Sequence, residues 1–341
     1  MENKKIISEE KVLDRIEQSF ELFKNNFLEL FLPIFLYTLG TITIFMNISN
    51  YFGVKYLNNI FGDMDKNNIS ENMNWLSYSN EMIIGIYIFV ILIVLYLTLY
   101  IPFLLATIKG IKQGYNGEKV TAKENVIYGF KNLLNSFRTY WFIFAYVALI
   151  PALIGIVGGL LFIYGSFNEN SNLELIGGII SVFSLILFIF FSVYRGIKSK
   201  FAMNSAIDKN EFIKEHFDFS IEITKTQWWR ILGNFLLIGI IISLVSGVFN
   251  SIVGLFGGSF DFNINSVLEL KENPDPEKII SLVNSTIESY SPITNFIKNT
   301  LDNIISTSII VFTLIFSYIL FKRLEIEDTI AESKEEKNIE L

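Results

Sequence analysis

The sequence predicts an all-α polytopic membrane bundle: six transmembrane helices, three amphipathic interfacial helices and a degenerate threefold parallel repeat. Three observations point there. The 341 residues are 51% hydrophobic and only 18% charged, against about 25% charged in an ordinary soluble domain. The apolar residues are gathered into runs long enough to cross a bilayer, which takes about 20 residues at 1.5 Å rise each. One amphipathic unit, ending in a cation and then an aromatic residue three positions later, occurs three times.

The six runs lie near Leu28–Ile48, Met82–Ile108, Tyr140–Tyr164, Leu175–Tyr194, Ile231–Phe256 and Ile304–Phe321. Each is preceded or followed by a connection whose charge sets its side. The leader, the second-to-third connection, the fourth-to-fifth connection and the C-terminal stretch together hold 22 of the 27 Lys and Arg residues. A six-span chain places those four regions on one face, and positive charge stays inside. Both termini are therefore expected in the cytoplasm, in a multi-pass protein of the cell membrane. The charged, amphipathic opening does not read as a cleaved signal peptide, so the first span is expected to persist.

Each inward-to-outward span follows an amphipathic segment. In the first, Val12, Leu13, Ile16, Phe20, Phe23 and Phe27 fall at helical spacing; Val126, Ile127, Phe130, Leu134, Phe137 and Trp141 repeat them at a constant offset. The third keeps Ile213, Phe217, Ile221 and Trp228 in phase, with Thr224 as a weak member. The pairs Lys24 and Phe27, Arg138 and Trp141, and Lys225 and Trp228 then read as interface anchors. The cation can reach lipid phosphates, and the ring sits at headgroup depth. A helix with one apolar stripe can lie in the headgroup plane; the alternative is packing beneath the bundle. Ser8, the Thr121/Glu124 pair and Asp208 with Glu211 are the expected start signals.

These units divide one membrane domain, 1–330, at about 8–108, 121–197 and 208–321, ahead of a disordered acidic tail over 331–341. Asn47–Glu81 and Gly257–Thr300 are the long external segments, and Asp275 with Pro276 opens a short helix in the second.

Candidate chemistry is sparse. The chain has no Cys and one His, which removes thiolate metal sites and cysteine nucleophiles. His216 is expected to be an exposed interfacial residue, since no carboxylate stands three or four positions from it in a chelating phase. No metal, cofactor or catalytic residue is assigned. Glu29 and Arg230 occupy the same repeat register at the cytoplasmic ends of their spans and form a candidate ion pair, against snorkelling to the interface as the alternative. Gly239, Ser243, Gly247 and Ser251 recur every four residues, and Gly155 and Gly159 share that spacing. Small residues so placed let helices approach closely. Packing within the bundle, a subunit interface or a substrate groove are the readings open to them.

The stretch Ile16–Phe31, together with Phe201–Trp229 leading into Thr226-Gln227-Trp228-Trp229-Arg230-Ile231-Leu232-Gly233, resembles prokaryotic six-span membrane proteins. Among them is the membrane domain attached to some glycerophosphodiester phosphodiesterases, along with related membrane families of unknown function. The resemblance implies an accessory membrane module near lipid or envelope processes. It does not bring the phosphodiesterase reaction, whose soluble barrel needs more than one His. The function expected is therefore a non-enzymatic scaffold or accessory; a permease or channel for a small or lipid-like substrate is the alternative. Membrane lipids, and a membrane protein partner or a second copy, are the expected partners; nucleic acid is not.

Overall fold

The computed structural model describes residues 12–40, 98–168, 170–254 and 292–339. Nearly all of them are helical. In chain order they are α1 (Val12–Asn25), α2 (Phe27–Thr38), α3 (98–115), α4 (Ala122–Lys131), α5 (Leu133–Phe167), α6 (Ser171–Ser199), α7 (Ala202–Lys209), α8 (Lys214–Lys225), α9 (Trp228–Gly254) and α10 (Pro292–Ile339). The chain divides into two compact units. One comprises Met1–Leu30, Leu104–Ile240 and Val311–Leu341; the other comprises Phe31–Phe103 and Ile241–Ile310.

Among the described residues, four helices are long and apolar enough to cross a membrane: Leu133–Phe167, Ser171–Lys209, Trp228–Phe249 and Phe296–Ile330. α2 is apolar but shorter, and the rest of the first expected span lies outside the described residues. So does the second span before residue 98. The Ser8 cap, Asn47–Glu81 and the Asp275 helix start fall outside them as well.

Within the first unit, α5 and α6 form a long hairpin. Its seam is built from glycine. A Cβ on Gly177 would strike the backbone of Phe162 and sit 2.7 Å from the Gly158 carbonyl; one on Gly158 would meet Ser181 N at 2.8 Å. Gly165 lies equally close to the backbone of Glu174. The Ser184 hydroxyl donates to the Pro151 carbonyl across the seam, at 2.7 Å. Asn170 caps α6 by accepting from Leu173 N. Away from the seam the hairpin turns its apolar side chains outward, and only 17% and 11% of the two spanning windows is buried. α10 is the opposite case: half of its apolar window is buried. Val311, Ile315, Phe316, Ile319, Leu320 and Phe321 make it central to the first unit. Phe201 and Phe235 pack against it through Phe321 and Phe316.

In the second unit, Tyr37 packs against Tyr100 and Phe103. Thr38 and Thr307 share a buried hydroxyl–hydroxyl hydrogen bond of 3.1 Å.

Several expectations change. The Thr121/Glu124 capping box does not form, because Thr121 makes no side-chain cap bond. Asp208 and Glu211 start no helix; α8 begins after Ile213, and Asp208 belongs to the end of α7. The tail expected to be disordered over 331–341 is helical through Ile339, as the end of α10. Ion pairs at its base carry it: Glu325 binds Lys322 at 2.6 Å, and Glu327 binds Arg323 at 2.8 Å.

Candidate functional site

The amphipathic segments present their faces in an unusual sense. On α1 the buried residues are Arg15 and Ser19, while Leu13 and Phe20 are 67% and 57% exposed. On α4 and the start of α5 the buried residues are Ala122, Asn125, Gly129, Ser136 and Thr139. The apolar stripe points outward, with Leu134 81% and Trp141 61% exposed. The small and polar side thus packs on the protein, and the greasy side is turned outward, with Phe23 of α1 also touching Phe312 of α10. A water-facing helix would arrange these faces the other way round.

The third segment behaves differently. α8 buries Phe217 between Phe142 and Tyr146 of the hairpin base. Its Ser220 and Thr224 hydroxyls donate to the Lys198 carbonyl at the end of α6. Ser220 also accepts from Phe201 N. Burial places His216 here too, at 8% exposure rather than on the surface. Its Nδ1 is 2.9 Å from the Ser205 hydroxyl, and its Nε2 lies 3.9 Å from Glu211. Desolvation lowers its pKa, with Glu211 and Glu215 opposing.

The anchors divide in the same way. Lys24 with Phe27, and Arg138 with Trp141, are exposed. In the third pair Lys225 is exposed, but the Trp228 indole donates to the Tyr194 carbonyl and packs on that ring. The outward aromatic is its neighbour Trp229. The break between amphipathic helix and span falls at matching register in the first and third segments, at Asn26 and at Thr226–Gln227. In the second it comes earlier, at Asn132. There the hydrogen-bond ladder continues through Asn132 N to Tyr128 O and Ser136 N to Asn132 O.

A polar cluster ties several helices together around the short, buried α7. Asp208 accepts from the Tyr318 hydroxyl at 2.8 Å and from Lys322 at 3.1 Å. Lys322 also binds Glu325, which lies 3.3 Å from Lys209. Lys112 of α3 donates to the terminal carbonyls of Ile207 and Asp208, satisfying groups a helix end leaves open. Burial lowers the Lys112 pKa, and the Asp208 carboxylate works against that shift. Asn210 closes α7 in the left-handed conformation, at φ 58°, and accepts from the Tyr128 hydroxyl. That conformation suits asparagine.

Glu29 and Arg230, paired in the sequence reading, each have a different partner. Glu29 accepts from Ala122 N at 2.5 Å, capping α4 with a carboxylate where the helix dipole favours one. Arg230 donates to Glu327 at 2.6 Å, and Glu327 is shared with Arg323. Each side chain reaches the nearest helix end or tail rather than the other. Of the small-residue positions, Gly155 packs against Ser184, whereas no described atom lies within 4 Å of a Cβ at Gly159, Gly239 or Gly247. Ser243 and Ser251 are exposed. The seam glycines Gly158, Gly165 and Gly177 escaped the four-residue pattern; the local signal for Gly158 and Gly177 was the Gly-Gly pairs at 158–159 and 177–178, and Gly165 had none. The α7 cluster left no pattern in the sequence, because its members come from four separate helices.

Among the described residues no group of three or more His, Cys, Asp or Glu side chains could hold a metal ion. Compared with protein families, curated proteins and solved structures, the chain gives no match.

Proposed function

We propose that this chain is a six-span protein of the cell membrane, with both termini in the cytoplasm, that acts as a non-enzymatic scaffold or accessory module in envelope or lipid-related processes. The observation that carries the reading is the outward apolar stripe of α1 and of α4 with the start of α5. Such faces are satisfied in the headgroup plane, beside spans whose own apolar surface is also free. Two of the three amphipathic units are thus interfacial helices, and α8 is the member that turned inward to brace the hairpin. The shared break in the first and third units supports the degenerate threefold repeat. A scaffold reading also suits the α7 cluster, where Asp208, Glu325 and Glu327 are engaged with cations or a tyrosine hydroxyl. Carboxylates so held serve architecture. The parallel with accessory membrane domains of glycerophosphodiester phosphodiesterase type belongs to the same proposal.

A second reading, a permease or channel for a small or lipid-like substrate, draws on the second unit. There Thr38, Asn303 and Thr307 are buried polar residues. Flux into vesicles carrying the purified chain would favour it over a scaffold.

Topology is the first test. Single-cysteine labelling across 110–139 in intact cells should find this segment protected until the membrane is permeabilised. Labelling from outside would overturn the orientation. Purification in mild detergent should then retain a membrane protein partner, and recovery of the chain alone as a monomer would count against the scaffold.

A further inference from the structure

We infer that α4 and the first turns of α5 form a cationic ridge that selects anionic phospholipid headgroups, while α1 binds the interface without regard to lipid charge. The inference rests on the interfacial placement proposed above and adds to it the class of lipid recognised. The two segments share an outward stripe but differ in charge. Over 119–141 the chain carries Lys119, Lys123, Lys131 and Arg138 against the single acid Glu124. All four cations are exposed. α1 carries Asp14, Glu17 and Glu21 against Arg15 and Lys24, and its Arg15 is buried.

The placing of the cations matters more than their number. At 100° per residue, Lys123, Ile127, Phe130, Lys131, Leu134, Phe137, Arg138 and Trp141 fall within an arc of about 120°. Lys131 and Arg138 stand seven residues apart along one edge of the stripe; Leu134 and Trp141, also seven apart, run down its middle. Rings and aliphatic chains immersed at headgroup depth therefore bring the Lys131 ammonium and the Arg138 guanidinium level with phosphates. The guanidinium can bind such a phosphate with two parallel hydrogen bonds. Glu124, the one acid, falls beside the cationic edge by the same geometry, but seven residues, about two turns, before Lys131. The inner side of this helix is spoken for: Ala122 N–H by Glu29, Asn125 by Gln113 and Tyr128 by Asn210. The ridge is thus tied in place from its inner side while its outer face is exposed. Juxtamembrane cations attract anionic lipid by an amount equal to about fivefold per residue.

The test uses the full chain in vesicles. Trp141 is kept as the only indole, with Trp75, Trp228 and Trp229 replaced by Phe, and its fluorescence is quenched by brominated phosphatidylglycerol or brominated phosphatidylcholine. The anionic lipid should quench more strongly at equal mole fraction, and the preference should fall several-fold in Lys131→Gln/Arg138→Gln and in high salt. Quenching by the zwitterionic lipid should be unchanged in that variant, which shows that the fold is intact. Because Trp228 is hydrogen-bonded, a second measurement keeps every Trp. It places a spin label at Leu134→Cys, in a chain with no other Cys, and reads contact with spin-labelled anionic or zwitterionic lipid. Equal quenching or contact by both lipids, untouched by the double variant, would overturn the lipid selectivity and leave the interfacial placement standing. No quenching by either lipid would overturn the placement, and the selectivity with it.

Discussion

Replacing Gly177 with alanine tests the hairpin seam most directly. The new methyl would overlap the backbone of Phe162 and approach the Gly158 carbonyl to 2.7 Å. A side chain can rotate away from such a clash, but backbone cannot, so the α5–α6 hairpin must splay. Inserting a methyl into a packed seam costs about 1–3 kcal/mol, and rigid neighbours on both sides place this position at the upper end. That corresponds to roughly a hundredfold in the unfolding equilibrium. Gly159→Ala is the internal control. It stands on the facing helix α5, next to the seam residue Gly158, with no described atom within 4 Å of its Cβ. Thermal unfolding of the detergent-solubilised chain should show a clear loss for Gly177→Ala and little change for Gly159→Ala. Distances between spin labels on the outer ends of α5 and α6 should widen only in the first. Equal stability of the two variants would refute the close approach of α5 and α6.

Three further outcomes follow from the polar groups. Asp208→Ala removes the acceptor of both Tyr318 and Lys322 in a largely buried setting. Lys322 keeps Glu325, so the loss should fall at the lower end of the ~3–5 kcal/mol typical of broken buried pairs, read as a reduced denaturation midpoint. Arg230→Ala, at a half-exposed pair, should cost no more than about 1 kcal/mol. His216 supplies a pH dependence. Burial holds its pKa below the ordinary value of 6.5, so the unfolded chain takes up a proton first as pH falls. Its contribution is therefore complete above about 6.5 and is lost on acidification through and below that point. His216→Gln should flatten the stability profile between neutral and mildly acidic pH; an unaltered profile would show that His216 is not the titrating group.

Much of this protein is written in one-dimensional pattern. Hydrophobic run length marks α5, α6, α9 and α10 as spanning candidates, because a bilayer demands an uninterrupted apolar stretch whatever its neighbours do. The 3.6-residue period likewise marks α1, α4 and α8 as amphipathic, since periodicity is a property of each helix alone. What periodicity cannot say is which way a face turns. α1 and α4 turn their apolar stripes outward, while α8 buries Phe217 and His216 beneath the hairpin, and the deciding contacts come from Phe142, Tyr146 and the Lys198 carbonyl. The same holds for ions. Glu29 and Arg230 share a register, yet their partners, Ala122 N and Glu327, lie 93 and 97 residues away in the chain. Long-range pairing depends on where helix ends meet, so the α7 cluster and the glycine seam were decided by packing alone.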